Sequence, residues 1–200
     1  MLCEPSVRYT AEQVLNHTWV ANLAPNSGDC LLEMNIDVLN NYTHSNKFKK
    51  AALTFIASRL KEDQIKTLKE IFLAIDINND GFLTFQEFKN ACAKLDKNID
   101  FEDLFSSLDN DKSGKINYTE FLAGTIDQHI YLKNERLFEA FKKFDKDCSG
   151  KISKNEIFQV INAQFDDIAS IEETLKKFDL DGDGELDYNE FCNMMANANY

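Results

Sequence analysis

Proline is nearly absent from this chain, and glycine is scarce. The two prolines are Pro5 and Pro25, so nothing beyond residue 25 forces a break in a helix. The 7 glycines form no phosphate-cradling run, and no GxSxG elbow occurs. Histidine is limited to His17, His44 and His129, each alone and without HExxH, which argues against zinc. The 5 cysteines (Cys3, Cys30, Cys92, Cys148, Cys192) are odd in number and never spaced CxxC. That disfavours a disulfide framework and points to a reduced, cytoplasmic setting. No apolar run reaches about 18 residues, and MLCEPSVR does not read as a signal peptide. Strand-type alternation with regular turns is missing as well. Positive charge is short too: 22 Lys and Arg stand against 34 Asp and Glu, for a net charge of −12. Nucleic acid is therefore not an expected partner.

What the chain does have is a repeat. DINNDGFLTFQE, DNDKSGKINYTE, DKDCSGKISKNE and DLDGDGELDYNE start at Asp76, Asp109, Asp145 and Asp179, spaced by 33, 36 and 34 residues. Each has oxygen-bearing side chains at positions 1, 3 and 5, Gly at 6, an aliphatic residue at 8 and Glu at 12. A calcium ion takes six to eight oxygen ligands at about 2.3–2.6 Å, and this spacing wraps one ion. The first window offers Asp76, Asn78, Asp80, the carbonyl of Phe82, and Glu87. The second offers Asp109, Asp111, Ser113, the carbonyl of Lys115, and Glu120. The third offers Asp145, Asp147, Ser149, the carbonyl of Lys151, and Glu156, and the fourth Asp179, Asp181, Asp183, the carbonyl of Glu185, and Glu190. Serine at position 5 departs from the strictest pattern, but its hydroxyl still supplies oxygen. Four ions are expected. They carry eight charges and would bring the net from −12 to −4. The fourth loop has the most acids, so loops 3 and 4 are expected to bind more tightly than loops 1 and 2.

Apolar residues at helical spacing flank each loop, such as Ile65, Leu68, Ile71, Phe72 and Ile75 before the first. Each unit therefore reads as helix–loop–helix, and the loops resemble EF-hands. The expected fold is all-α, with two calmodulin-like lobes at about 66–129 and 130–200. Leu83 should pair with Ile116, and Ile152 with Leu186, as short ribbons. Gly124, in the connector GTIDQHIYLKNE, reads as a flexible joint.

The segment SNKFKKAALTFIASRL stands out against the acidic background. From Ser45 to Lys61 the charge is +5, with no acid. Lys47, Lys50, Thr54, Ser58 and Lys61 share one stripe, while Phe48, Ala52, Leu53, Phe55, Ile56 and Leu60 help to fill more than half the circumference. That arc is too wide for a helix on a single surface, and suits one gripped by acidic, calcium-opened lobes. Two other readings stay open: a core helix of a small N-terminal domain, and a helix on an anionic membrane. No Gly or Pro interrupts residues 45 to 80, so the helix is expected to run straight into the first repeat as a rod of about 45 Å.

Near the start, Arg8, Thr10, Ala11, Leu15, His17 and Trp19 fill the pattern R-x-T-A-x-x-x-L-x-H-x-W. This resembles the last helix of a protein-kinase catalytic domain. Kinase tail (1–22), junction segment (23–65) and four EF-hands in that order are similar to the calcium-dependent protein kinases of plants and apicomplexan parasites. The resemblance implies a regulatory segment of a serine/threonine kinase, with ATP and magnesium used only in a catalytic domain outside these residues. It also implies autoinhibition through Lys47, Lys49 and Lys50, released when calcium lets the lobes grip the helix. The partners implied are the chain's own junction helix and own kinase domain, with no nucleic acid and no membrane contact required. The isolated segment could exchange helices in a swapped dimer. Residues 1 to about 22 are expected to be poorly ordered without their docking surface. A free-standing calcium sensor or buffer with its own N-terminal module is the rival reading.

Overall fold

The computed structural model describes residues 36–92, 100–161 and 168–197. The expectations for residues 1 to 22, Trp19 included, lie outside the described residues. Two helices come first, α1 (Ile36–Thr43) and α2 (Lys47–Ala57). Four helix–loop–helix units follow. They are α3 (Glu62–Ile75), β1 (Phe82–Thr84) and α4 (Phe85–Cys92), then α5 (Phe101–Leu108), β2 (Lys115–Asn117) and α6 (Tyr118–Thr125). A short α7 (Gln128–Tyr131) connects to α8 (Asn134–Phe144), β3 (Lys151–Ser153) and α9 (Lys154–Val160). The last unit is α10 (Ile168–Phe178), β4 (Glu185–Asp187) and α11 (Tyr188–Ala196).

The units pair through their strands. β1 and β2 run antiparallel with Leu83 opposite Ile116, and β3 and β4 with Ile152 opposite Leu186. All four of these side chains are completely buried, which fixes the register of each ribbon. Aromatic rings close each pair from within. Phe72 meets Phe121 at 5.4 Å between centroids in the first pair, and Phe141 meets Phe191 at 5.7 Å in the second.

Two expectations fail. The rod does not form: α2 stops at Ala57 and α3 begins at Glu62. The Ser58 hydroxyl donates to the Phe55 carbonyl at 2.7 Å, and the Arg59 and Leu60 amides make tight bonds to Ile56 and Ala57. The tertiary reason is that α2 and α3 both pack against α6, which no straight rod can achieve. Nor is Gly124 a joint. It sits inside α6, fully enclosed, where an added Cβ would collide with Leu108 and touch Tyr42. Its role is close approach, not flexibility.

Candidate metal centres and the helix between them

Each loop is built by its first and twelfth residues. The incoming helix continues its hydrogen bonding into position 1: the Asp76, Asp109 and Asp145 amides each bond the carbonyl four residues back at 2.9 Å. The Asp carboxylate then folds the loop around itself. Asp109 accepts from the Ser113 amide at 2.9 Å on one oxygen and from the Gly114 amide at 2.8 Å on the other. Asp145 repeats this with Ser149 and Gly150, both at 3.0 Å. The glycine at position 6 lies at φ between 81° and 87° in all four loops, a conformation that a side chain resists.

The position-12 glutamate ties the other end. One oxygen of Glu156 accepts from the Lys146 amide at 2.7 Å, and the other from Ser153 Oγ at 2.7 Å and the Ser153 amide at 2.8 Å. Glu87, Glu120 and Glu190 span their loops in the same way. These carboxylates cap the outgoing helix and face the loop at once. Asp109, Asp111 and Glu120 bring ligand oxygens within 4.8 Å of one another, as do Asp145, Asp147 and Glu156, and Asp179, Asp181 and Asp183. In the first loop Asp76, Asp80 and Glu87 form no such acid trio, and Asn78 supplies the oxygen at position 3.

The acids differ in how they hold charge. Hydrogen bonds from Thr84 hold Glu87 below the usual glutamate value. Burial works against charge on Glu156, yet its bonds from Ser153, Lys146 and Asp147 win and hold it low. Burial dominates at Glu120 and raises it. Glu120 is the more deeply buried and also feels the Asp111 carboxylate, and Asn117 at position 9 adds no hydroxyl donor where Thr84 and Ser153 each add one. Position 7 holds a surprise. The Lys115 ammonium crosses to Asp80 of the paired loop at 3.1 Å, and Lys151 crosses to Asp183 and, at 3.5 Å, to Asp181.

The basic helix α2 lies between the two pairs. It packs against α6 of the first pair and against α8 and α9 of the second. Phe48 is 2% exposed and meets Phe144 at 5.3 Å and Phe191 at 6.0 Å. Ala52, Leu53 and Ile56 are buried, while Phe55, 6.0 Å from Phe144, and Leu60 are half-buried. Lys47 is the one exposed residue of the helix. Lys49 is buried, its Nζ donating to the Asn197 carbonyl beyond α11 at 2.6 Å, and burial pushes its pKa down to about 8. Lys50 reaches the Ser107 carbonyl at 3.3 Å and is likewise pushed down to about 8 by burial.

Sequence reasoning missed α1. Leu39 and Tyr42 are buried as the helix packs against α5 and α6. Asn110 Nδ2 donates to the Tyr42 hydroxyl at 2.6 Å, and the Asn110 amide donates to Glu120 at 3.0 Å. Position 2 of loop 2 thus ties α1 to a position-12 glutamate. The only local signal was Leu39 and Tyr42 at i, i+3, too little for a periodicity argument.

The family model described as an EF-hand domain pair matches residues 65–126 and 134–196. The chain belongs to the EF-hand family. It is also 36% identical over 196 residues to calcium-dependent protein kinase 2 of Zea mays, covering 96% of this chain and 38% of that protein. Calcium-dependent protein kinase 9 of Arabidopsis thaliana is 34% identical over 203 residues, covering 100% of this chain and 38% of the relative. The EF-hand chain thus spans about 38% of the length of these relatives, and fits their C-terminal calmodulin-like region. The donor set of its loops is oxygen throughout, without nitrogen or sulfur. That chemistry suits a hard cation such as calcium. Among the described residues, no helix is long and apolar enough to cross a membrane.

Proposed function

We propose that this chain is the calcium-sensing regulatory segment of a calcium-dependent serine/threonine protein kinase. Four calcium ions bind, one per loop, through the residues at positions 1, 3, 5 and 12 and the carbonyl at position 7. The loaded pairs hold α2 and keep it away from the kinase domain, whose ATP- and magnesium-dependent chemistry lies outside this chain. The observation that carries the reading is the enclosure of α2 by both pairs, with Lys47 alone exposed. Lys49 and Lys50 cannot donate to the Asn197 and Ser107 carbonyls and at the same time engage a kinase domain. The two placements exclude each other, which is what a two-state switch requires. Residues 1–22 would be the end of the catalytic domain, 23–65 the junction, and 66–129 and 130–200 the two lobes.

The test adds this chain to the isolated kinase domain. Inhibition without calcium and relief with calcium is the expected result. Inhibition that ignores calcium, or no effect in either condition, overturns the reading. Calorimetry on the chain alone should count four ions.

A further inference from the structure

We propose that the cavity between the end of α2 and the start of α8 binds a phosphate oxyanion. The cavity measures about 230 Å³, room for an oxyanion and several waters of about 30 Å³ each. Arg59, Lys61, Lys133 and Arg136 line it, a concentration of positive charge in a chain of net −12. Glu135 and Glu139 also line it, yet none of the four cations has a carboxylate within 4.0 Å among the described residues. The four cations outnumber the two glutamates of the lining, which leaves the field in the hollow positive.

Two of the four are held in place. Arg136 donates to Gln64 Oε1 at 2.7 Å and to the Ile130 carbonyl, which fixes the plane of its guanidinium. Arg59 stacks on the Phe55 ring at 5.3 Å, which orients the group and leaves its N–H edge available. The Arg59 guanidinium can meet a tetrahedral oxyanion through paired hydrogen bonds, while Arg136, both of whose terminal nitrogens already donate within the protein, and the two lysines add positive charge.

The cavity is composite. Phe55, Ile56 and Arg59 come from α2 and the turn after it, whereas Lys133 and Arg136 come from the second EF-hand pair. The inference therefore rests on the reading that α2 can leave this position. An oxyanion bound here recognises only the docked form, so it would favour capture and, by linkage, raise apparent calcium affinity.

The experiment uses the full chain at fixed free calcium, below the solubility limit of calcium phosphate, and at constant ionic strength. The probes are inorganic phosphate, a short phosphoserine peptide and its unphosphorylated form, with chloride as the control. Binding is followed by amide chemical shifts and calorimetry. Saturable binding of phosphate or phosphopeptide is expected, weakened at least about fivefold in Lys61→Ala/Lys133→Ala, whose side chains are exposed. Tighter binding of the phosphopeptide assigns the site to a phosphorylated side chain, and tighter binding of inorganic phosphate to the free anion. Binding unchanged in the double variant, equal binding of the unphosphorylated peptide, or shifts no larger than with chloride overturns the proposal. Scattering on the same samples separates the two readings. Compaction with calcium but no oxyanion binding defeats this inference alone, whereas no compaction defeats the capture reading.

Discussion

Lys115 and Lys151 occupy position 7, where only the carbonyl serves a calcium ion, so their side chains are free for other work. Each sends its ammonium to a position-5 aspartate of the partner loop. The ammonium and a dication compete for the same carboxylate. Lys151→Ala should therefore raise the calcium affinity of loop 4 about two- to fivefold, the range of an exposed ion pair. Calorimetry that shows no gain would mean that the lysine swings away without cost. Tyr42 acts through its hydroxyl. Tyr42→Phe keeps the buried ring but leaves Asn110 Nδ2 without its 2.6 Å acceptor. The expected loss is about 0.5–1.5 kcal/mol in urea unfolding, with the fold intact. The oxygen-bearing loop positions were legible in the sequence because each set lies within twelve residues, and the structure gathers acids of loops 2, 3 and 4 within 4.8 Å of one another. Tyr42 was not, because its partner Asn110 is 68 residues away.

At the scale of elements, α2 behaves as core, as its wide apolar arc requires, although it carries three lysines. Phe48 sits among Phe144 and Phe191, so Phe48→Ala should cost about 3–5 kcal/mol and loosen α2 from the second pair. Scattering should then show expansion even with calcium present; unchanged dimensions would place the anchor elsewhere. Gly124 gives the sharper test because its sign is reversed. In an ordinary helix interior, Gly→Ala stabilises by about 0.5–1 kcal/mol. Here the new Cβ would strike Leu108 beneath Tyr42, so Gly124→Ala should lower the melting temperature and free α1. Helix boundaries at Ser58–Lys61 followed the same logic. Local propensity permits a continuous helix there, and packing of both α2 and α3 on α6 forbids it.

For the whole molecule, charge is the variable that couples metal, pH and packing. At net −12 the folded pairs repel themselves, and bound dications relieve that repulsion. A chelator should therefore lower the melting temperature markedly, and excess calcium should restore it. Lys49 adds a pH dependence with a definite sign. Its ordinary pKa of 10.5 falls to about 8 when α2 is docked, because burial disfavours the ammonium. Between about 8 and 10.5 the docked form binds fewer protons than the released form, so docking strengthens as pH rises through that window. Lys49→Met should dock more tightly at pH 7.5 and lose part of this dependence; a profile identical to the parent would refute the assignment. Calcium loops, helix–loop–helix units and the basic helix were all readable from the chain, because each is encoded by residues within one or two turns of one another. The placement of that helix was not. Its contact from Lys49 to the Asn197 carbonyl spans 148 residues, and the closure of Gly124 on Leu108 depends on two helices meeting. Sequence alone determined the repeat, its oxygen-rich loops and the EF-hand pairs they form, since loop spacing and helical periodicity are local. The tertiary structure decided which lysines are hidden, where the helix breaks and what lines the cavity beside it, because those follow from burial shared between distant elements.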